Sequence, residues 1–349
     1  MRVLVTGNLG YVGAVLTSAL VRAGHRVTGY DTGYYAGLAP LGSTGVPGPH
    51  RQITNDVRDA ERADFEGMDA VIHLAALSND PLGALRPGIT EHINYGGTVR
   101  VAEVARAAGV RRFVYASSQS MYGVADISRE VEEDASEKHP VTAYARTKWE
   151  AEQALASMVS DRFEPVFLRP STVFGPSPRL RCDIVFNNLV ASGYTTGTIT
   201  VLSDGTPWRP VVHVEDVTDT FLAALAAPAG IVAGEAFNVG IHDGNYTVRD
   251  LAEAARASVP GCGLEIVGRP SGDERTYRVS FAKLHARLRD YVVPSRTLAE
   301  GGRGLVGLFR TTGFTEADFR GPRCTRLSAL ASLLSAGQLD DELRWTSHR

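Results

Sequence analysis

The 349-residue sequence predicts an α/β protein built on a doubly wound parallel sheet, with a smaller mixed domain after it. Three observations predict this. Short β-branched runs alternate with helical stretches over the first 170 residues, and a glycine triplet sits where the first run meets the first helix. Past residue 170 the alternation loosens. Apolar runs separated by helices mean βαβ units, and hence a parallel sheet covered on both faces.

The strands are expected at residues 3–6 (VLVT), 25–31 (HRVTGYD), 69–76 (DAVIHLAA), 112–118 (RFVYASS) and 165–169 (PVFLR). Between them, residues 14–23 closed by Gly24 and 99–108 closed by Gly109 read as helices, glycine being the usual residue just past a helix end. Residues 32–50 are a Gly/Pro-rich loop. Further on, 183–193 and 248–257 read as helices and 236–240 as a short strand. From about Thr315 the chain is again helical, with an apolar face (Leu327, Leu330, Leu333, Leu334) suited to packing or a subunit contact. The expected division is 1–170 for the nucleotide domain, rejoined around 211–240, then 171–315 for the substrate domain and 316–349 as a helical extension.

Composition narrows the function. A net charge of −3 gives no reason to expect nucleic acid or an anionic membrane as partner. The most apolar stretch, 221–234, is broken by Pro228 and two glycines, and no run approaches a membrane span. Three apolar residues before Thr6 are too few for a secretion signal. Three scattered cysteines (Cys182, Cys262, Cys324) exclude a disulfide framework and a Cys-rich metal site. A cytoplasmic protein without a metal is expected. Lysine is rare, with only Lys138, Lys148 and Lys283 among 36 basic residues, which favours a specific task for each.

The first run ends in TGNLGYVG, with Gly7, Gly10 and Gly13 around Leu9 and Tyr11. Such glycines permit a tight turn, approach of backbone N–H groups to a pyrophosphate, and close helix–strand packing. Asp31 follows 18 residues after Gly13 at the end of the second run, placed to accept hydrogen bonds from the adenosine ribose and to repel a 2′-phosphate. No arginine follows it, so NAD is expected rather than NADP. The arrangement is Rossmann-type. Asp56 and Val57 fall where a third strand should end, with Asp56 a candidate for the adenine amino group or simply a solvated turn. Leu74, Ala75 and Ala76 end the fourth run with residues small enough for a flat cofactor, whereas His73 reads as a packed histidine.

The fifth run ends in Ser117, Ser118 and Gln119. Later, Tyr144 and Lys148 stand four apart at the start of a helical stretch, and therefore on one face. An ammonium close to a phenol favours the phenolate, and lysine is compact enough to reach a ribose hydroxyl as well.

Together these residues resemble the extended short-chain dehydrogenase/reductase superfamily, and within it the NAD-dependent epimerase/dehydratase family that acts on nucleotide sugars. The likeness covers roughly residues 1–300. It implies NAD as cofactor, a nucleotide sugar as substrate and a homodimer. It assigns Tyr144 as acid/base, Lys148 to the nicotinamide ribose and Ser118 to the reacting oxygen. Asn94 resembles the asparagine that supports the active-site helix. Pro170 and Val173 lie in a segment that passes under the nicotinamide.

On the substrate side, Asn188 and Leu189 resemble the motif holding the sugar nucleotide, and Arg209 the diphosphate-binding arginine. Asp273 resembles a second ribose contact, although position 270 is Pro where an arginine is usual, with Arg269 and Arg275 as stand-ins. Ser78, Gln119 and Thr172 occupy substrate positions but depart from the family's usual residues. Sugar 4,6-dehydratases carry Thr-Asp-Glu where this chain has Ser118-Gln119-Ser120, so the acids for water elimination are missing. The expected activity is epimerisation by reversible hydride transfer at a sugar carbon, C4 foremost. A 4-ketoreductase and a non-catalytic NAD sensor stand as alternatives.

Overall fold

The computed structural model describes residues 1–42, 47–78, 87–268 and 276–347. Its centre is a seven-stranded parallel sheet. The strands are β1 (Arg2–Thr6), β2 (Arg26–Asp31), β3 (Arg51–Thr54), β4 (Ala70–His73), β5 (Arg112–Ala116) and β6 (Glu164–Pro170). Beyond β7 (Thr172–Phe174), β8 (Thr198–Val201) and β9 (Trp208–His213), the chain returns with β10 (Ala236–Val239) to pair with β6. The order is β10-β6-β5-β4-β1-β2-β3, so the winding reverses between β1 and β4. A crevice forms at the carboxyl ends of the strands at such a reversal, and ligands bind there.

Continuous apolar runs are what this sheet requires, because both faces are covered. Leu4, Val71, Phe113, Tyr115 and Phe167 point into one helical layer, while Val3, Val5, Ile72, Val114 and Val166 point into the other. Successive residues thus alternate faces without a polar position between them. β3 stops at Thr54, and Asp56 instead caps a short 3-10 turn, Val57–Asp59.

The remainder forms a smaller mixed unit. β9 pairs in parallel with β7 and antiparallel with β11 (Asn245–Thr247), and β8 pairs with β12 (Gly263–Ile266). Helices Val185–Thr196, Val248–Ser258 and Leu298–Thr312 close a core around Phe174, Phe186, Leu251 and Phe309.

The C-terminal segment crosses back to the first unit. Leu330, Leu339 and Leu343 are buried in the core beside β2 and β4, with Leu327, Leu333 and Leu334 packed against them. Trp345 Nε1 donates to Thr32 O (2.7 Å), Tyr34 OH donates to Leu343 O (2.5 Å), and Arg344 pairs with Asp59. The apolar face noted in the sequence therefore packs within the chain. Among the described residues no helix is long and apolar enough to cross a membrane.

Candidate active site

A cleft of about 1350 Å³ opens at the carboxyl ends of the strands. A site for one small ligand typically measures ~300–1,000 Å³, so there is room here for a dinucleotide and a second nucleotide-sized molecule.

Its floor at one end is the turn from β1 into helix Tyr11–Arg22. Gly7 has φ of +73°, a backbone that side-chain-bearing residues resist. At Gly13 a Cβ would lie 2.1 Å from Gly7 O. The helix is thus pressed against the turn, leaving its N-terminus open toward the cleft, where the dipole and free N–H groups favour an anion. This cradle fits a pyrophosphate. Gly13→Ala is expected to push the turn open and weaken NAD binding by on the order of 10²-fold, given what ~1 Å of misplacement costs, as read by calorimetry.

Asp31 ends β2 at the cleft and accepts from Leu9 N (3.1 Å) and Gly33 N (2.8 Å). Burial raises its pKa, and those two N–H groups oppose the rise. Asp56 and Val57 also line this end, but the Asp56 carboxylate is already gripped by Arg58 at 2.7 and 3.0 Å. Leu74, Ala75 and Ala76 form the wall after β4. His73 stays inside, bridged between Thr6 Oγ1 (2.7 Å) and Thr98 Oγ1 (2.9 Å). Burial, together with the Lys148 charge, lowers its pKa to about 3, so it is neutral and packed, as its sequence context suggests.

At the other end, Thr142 caps helix Ala143–Ala156 by accepting from Ala145 N (3.1 Å). Tyr144 therefore enters in the first turn, with Lys148 one turn below on the same face. Lys148 Nζ donates to Ala116 O (2.7 Å) and lies 5.9 Å from the centre of the Tyr144 ring. Burial lowers its pKa to about 7. Ser118 lies two residues past β5 and caps the turn Gln119–Tyr122, its Oγ 2.9 Å from Ser120 Oγ. Ser118, Tyr144 and Lys148 all face the cleft, as do Pro170, Thr172, Val173, Asn188, Leu189, Arg209 and Ser78. Tyr11, beside the glycine turn, donates to Gly175 O (2.7 Å), just past β7.

Several residues singled out in the sequence are placed otherwise. Gln119 is buried; the tight turn after Ser118 swings it inward, where it donates to Arg169 O and accepts from Ser171 Oγ, both at 3.0 Å. It cannot meet substrate from there. Asn94 lies on a π-turn, His92–Gly96, and clamps both backbone groups of Leu77 (2.8 and 3.1 Å), so it holds the wall without facing the cleft. Leu9 likewise does not line the cleft; its N–H serves Asp31. Ser117 lines it, yet its hydroxyl donates to the buried Glu152 (2.5 Å). Asp273 lies outside the described residues.

Other cleft residues carry no local motif. Arg181 pairs with Asp183 (2.9 Å) and donates to Ser78 Oγ (3.0 Å). Arg326 arrives from the C-terminal segment and Tyr35 from the loop after β2. Among the described residues, no group of three His, Cys, Asp or Glu side chains could hold a metal.

Fold and cleft define a dinucleotide-binding α/β enzyme. The profile of the NAD dependent epimerase/dehydratase family matches residues 3–240. UDP-glucose 4-epimerase of Mycolicibacterium smegmatis is 32% identical over 325 residues, covering 89% of this chain and 99% of that protein. MoeE5, solved with UDP-glucose and NAD, superposes with a TM-score of 0.75 at 26% identity, over 89% of this chain and 99% of that one. The dTDP-glucose 4,6-dehydratase DesIV of Streptomyces venezuelae gives a TM-score of 0.76 at 25% identity, over 90% and 99%. This chain belongs to the NAD-dependent epimerase/dehydratase family, and its cofactor is NAD.

Proposed function

We propose that the protein is an NAD-dependent nucleotide-sugar 4-epimerase. One observation carries the reading: a phenol, a lysine and a serine hydroxyl (Tyr144, Lys148, Ser118) all line the same cleft that the glycine turn opens into. The bound NAD supplies reversible hydride acceptance. Tyr144, as phenolate, takes the proton of the sugar C4 hydroxyl, and Ser118 donates a hydrogen bond to that oxygen as it becomes a carbonyl. Lys148, moved from Ala116 O to the ribose, keeps the phenolate ionised. Gly7, Gly10, Gly13 and Asp31 hold the dinucleotide, while Asn188, Leu189, Arg209 and Asp273 hold the sugar nucleotide. After the ketone turns over, Tyr144 returns the proton. Similarity to UDP-glucose 4-epimerases supports this reading and makes UDP-hexoses the first substrates to try.

The carboxylates of the cleft favour epimerisation over dehydration. Among the described lining residues, Asp31 and Asp56 sit at the adenosine end and Asp183 is paired with Arg181. None adjoins Ser118 as the acids of a dehydratase would.

The test is isotopic. With a C4-deuterated UDP-hexose and the enzyme as purified, the label should stay at C4 in both epimers, without release of NADH. Deuterium lost to solvent, or conversion that demands added NADH and a 4-keto sugar, would sink the epimerase reading. Three unpaired cysteines support a cytoplasmic location, and the family likeness supports a homodimer, to be checked as twice 37.4 kDa in sedimentation.

A further inference from the structure

Arg326 stands out among the charged side chains of the cleft. It is the first residue of helix Arg326–Ser335, in the segment beyond the family match, and is only 4% exposed. Its guanidinium lies 4.3 Å from the centre of the Tyr35 ring, and Nη2 donates to Arg179 O (2.7 Å). No other hydrogen bond and no carboxylate within ion-pair distance is made to it among the described residues. A buried guanidinium normally has an anionic partner, because desolvating an uncompensated charge costs several kcal/mol. Burial and the neighbouring Arg181 both disfavour its charge here, although Tyr35 and Asp183 offset part of this.

Its position indicates which anion it would pair with. Arg326 is near enough to act electrostatically on Asp31, the ribose carboxylate, and on Tyr35. Arg181 is the next cation along, and its field reaches Tyr144. Tyr35, Arg326 and Arg181 line the cleft together with Asp31 and Tyr144, Arg326 packed on Tyr35 four residues past Asp31 and Arg181 bonded to Ser78. A dinucleotide held by a ribose carboxylate at one end and reaching a catalytic phenol at the other places its two phosphates between those groups. The helix N-terminus at Gly10 serves it from one wall.

We propose that Arg326 is a cofactor-binding residue, supplying from the C-terminal segment a second anchor for the dinucleotide pyrophosphate. Planar, always-charged guanidinium suits a bidentate grip on such an anion. The inference depends on the dinucleotide site and is independent of whether the reaction is epimerisation.

The experiment titrates ADP-ribose, adenosine and UDP into cofactor-stripped full chain. It compares wild type with Arg326→Met and with Arg326→Gln, which keeps an N–H for the Arg179 carbonyl. Near-UV circular dichroism checks the fold of each. In a folded variant ADP-ribose affinity should fall about 10- to 100-fold, the weight of a charge-assisted hydrogen-bonded pair, with adenosine and UDP changed less than about twofold. Wild-type affinity for ADP-ribose in a folded variant would overturn the proposal. So would an equal loss for adenosine, which would mean that Arg326 merely shapes the wall. A loss confined to UDP would assign the guanidinium to the substrate's diphosphate and overturn it too.

Discussion

Tyr144→Phe is expected to lower kcat by about 10²- to 10⁴-fold, the range of a positioned acid/base group, while NAD binding and stability stay close to wild type. The ring remains on its helix, capped by Thr142, so its packing is kept while the hydroxyl is removed. In the proposed mechanism Lys148 is the cation that would let the phenol act near neutrality. Burial lowers the pKa of its ammonium to about 7, and an anion beside it would oppose that fall; the Tyr144 ring centre lies 5.9 Å from Nζ and the Tyr115 ring centre 4.8 Å. In that mechanism proton release from Tyr144 and proton retention by Lys148 support each other. The check is steady-state kinetics with a parallel NAD titration. Retained turnover in the Phe variant would remove Tyr144 from the chemistry.

The second large effect is on stability. Arg169→Met is expected to cost about 3–5 kcal/mol, because it leaves the Glu152 carboxylate buried and without its cation. Glu152 accepts from Ser117 Oγ (2.5 Å) and Arg169 Nε (3.2 Å), and its other oxygen meets Arg169 Nη2. Arg169 continues to Tyr122 OH and Glu133 O, both at 3.0 Å. This network ties β5, β6 and the Tyr144 helix together directly behind the site. Urea unfolding should show a lowered midpoint for Arg169→Met and a substantial recovery in Arg169→Met/Glu152→Met, where no lone charge remains. A double variant no more stable than the single would argue that packing, not charge, sets the cost.

How far the sequence could be read depends on whether a function is written locally. Gly7, Gly13, Asp31, Ser118 and Tyr144 each lie at or near an element end fixed by short-range patterning, Lys148 follows one helical turn after Tyr144, and the fold brings that set to one cleft. Gln119 shows the limit of adjacency: it follows Ser118, but the 3-10 turn Gln119–Tyr122 sends it into the interior. Asn94 shows another, since only the π-turn and the Leu77 contact explain it. Arg326 had no local signal at all. It reaches the cleft because Leu330, Leu339 and Leu343 dock the C-terminal segment onto the first core, a contact among residues about 300 positions apart from β1 and β2 in sequence.

The late return of β10 constrains how this chain can be divided. β6 is hydrogen-bonded on one side to β5 and on the other to β10, which is synthesised some seventy residues later. A fragment ending at residue 170 would leave Val166, Phe167 and Leu168 on an open, flat border with unpaired amides, an invitation to stack with other copies. The half that grips the dinucleotide is therefore not a detachable module, and a chimera that exchanges the smaller unit must keep β10 with the first sheet and replace the segments on either side of it.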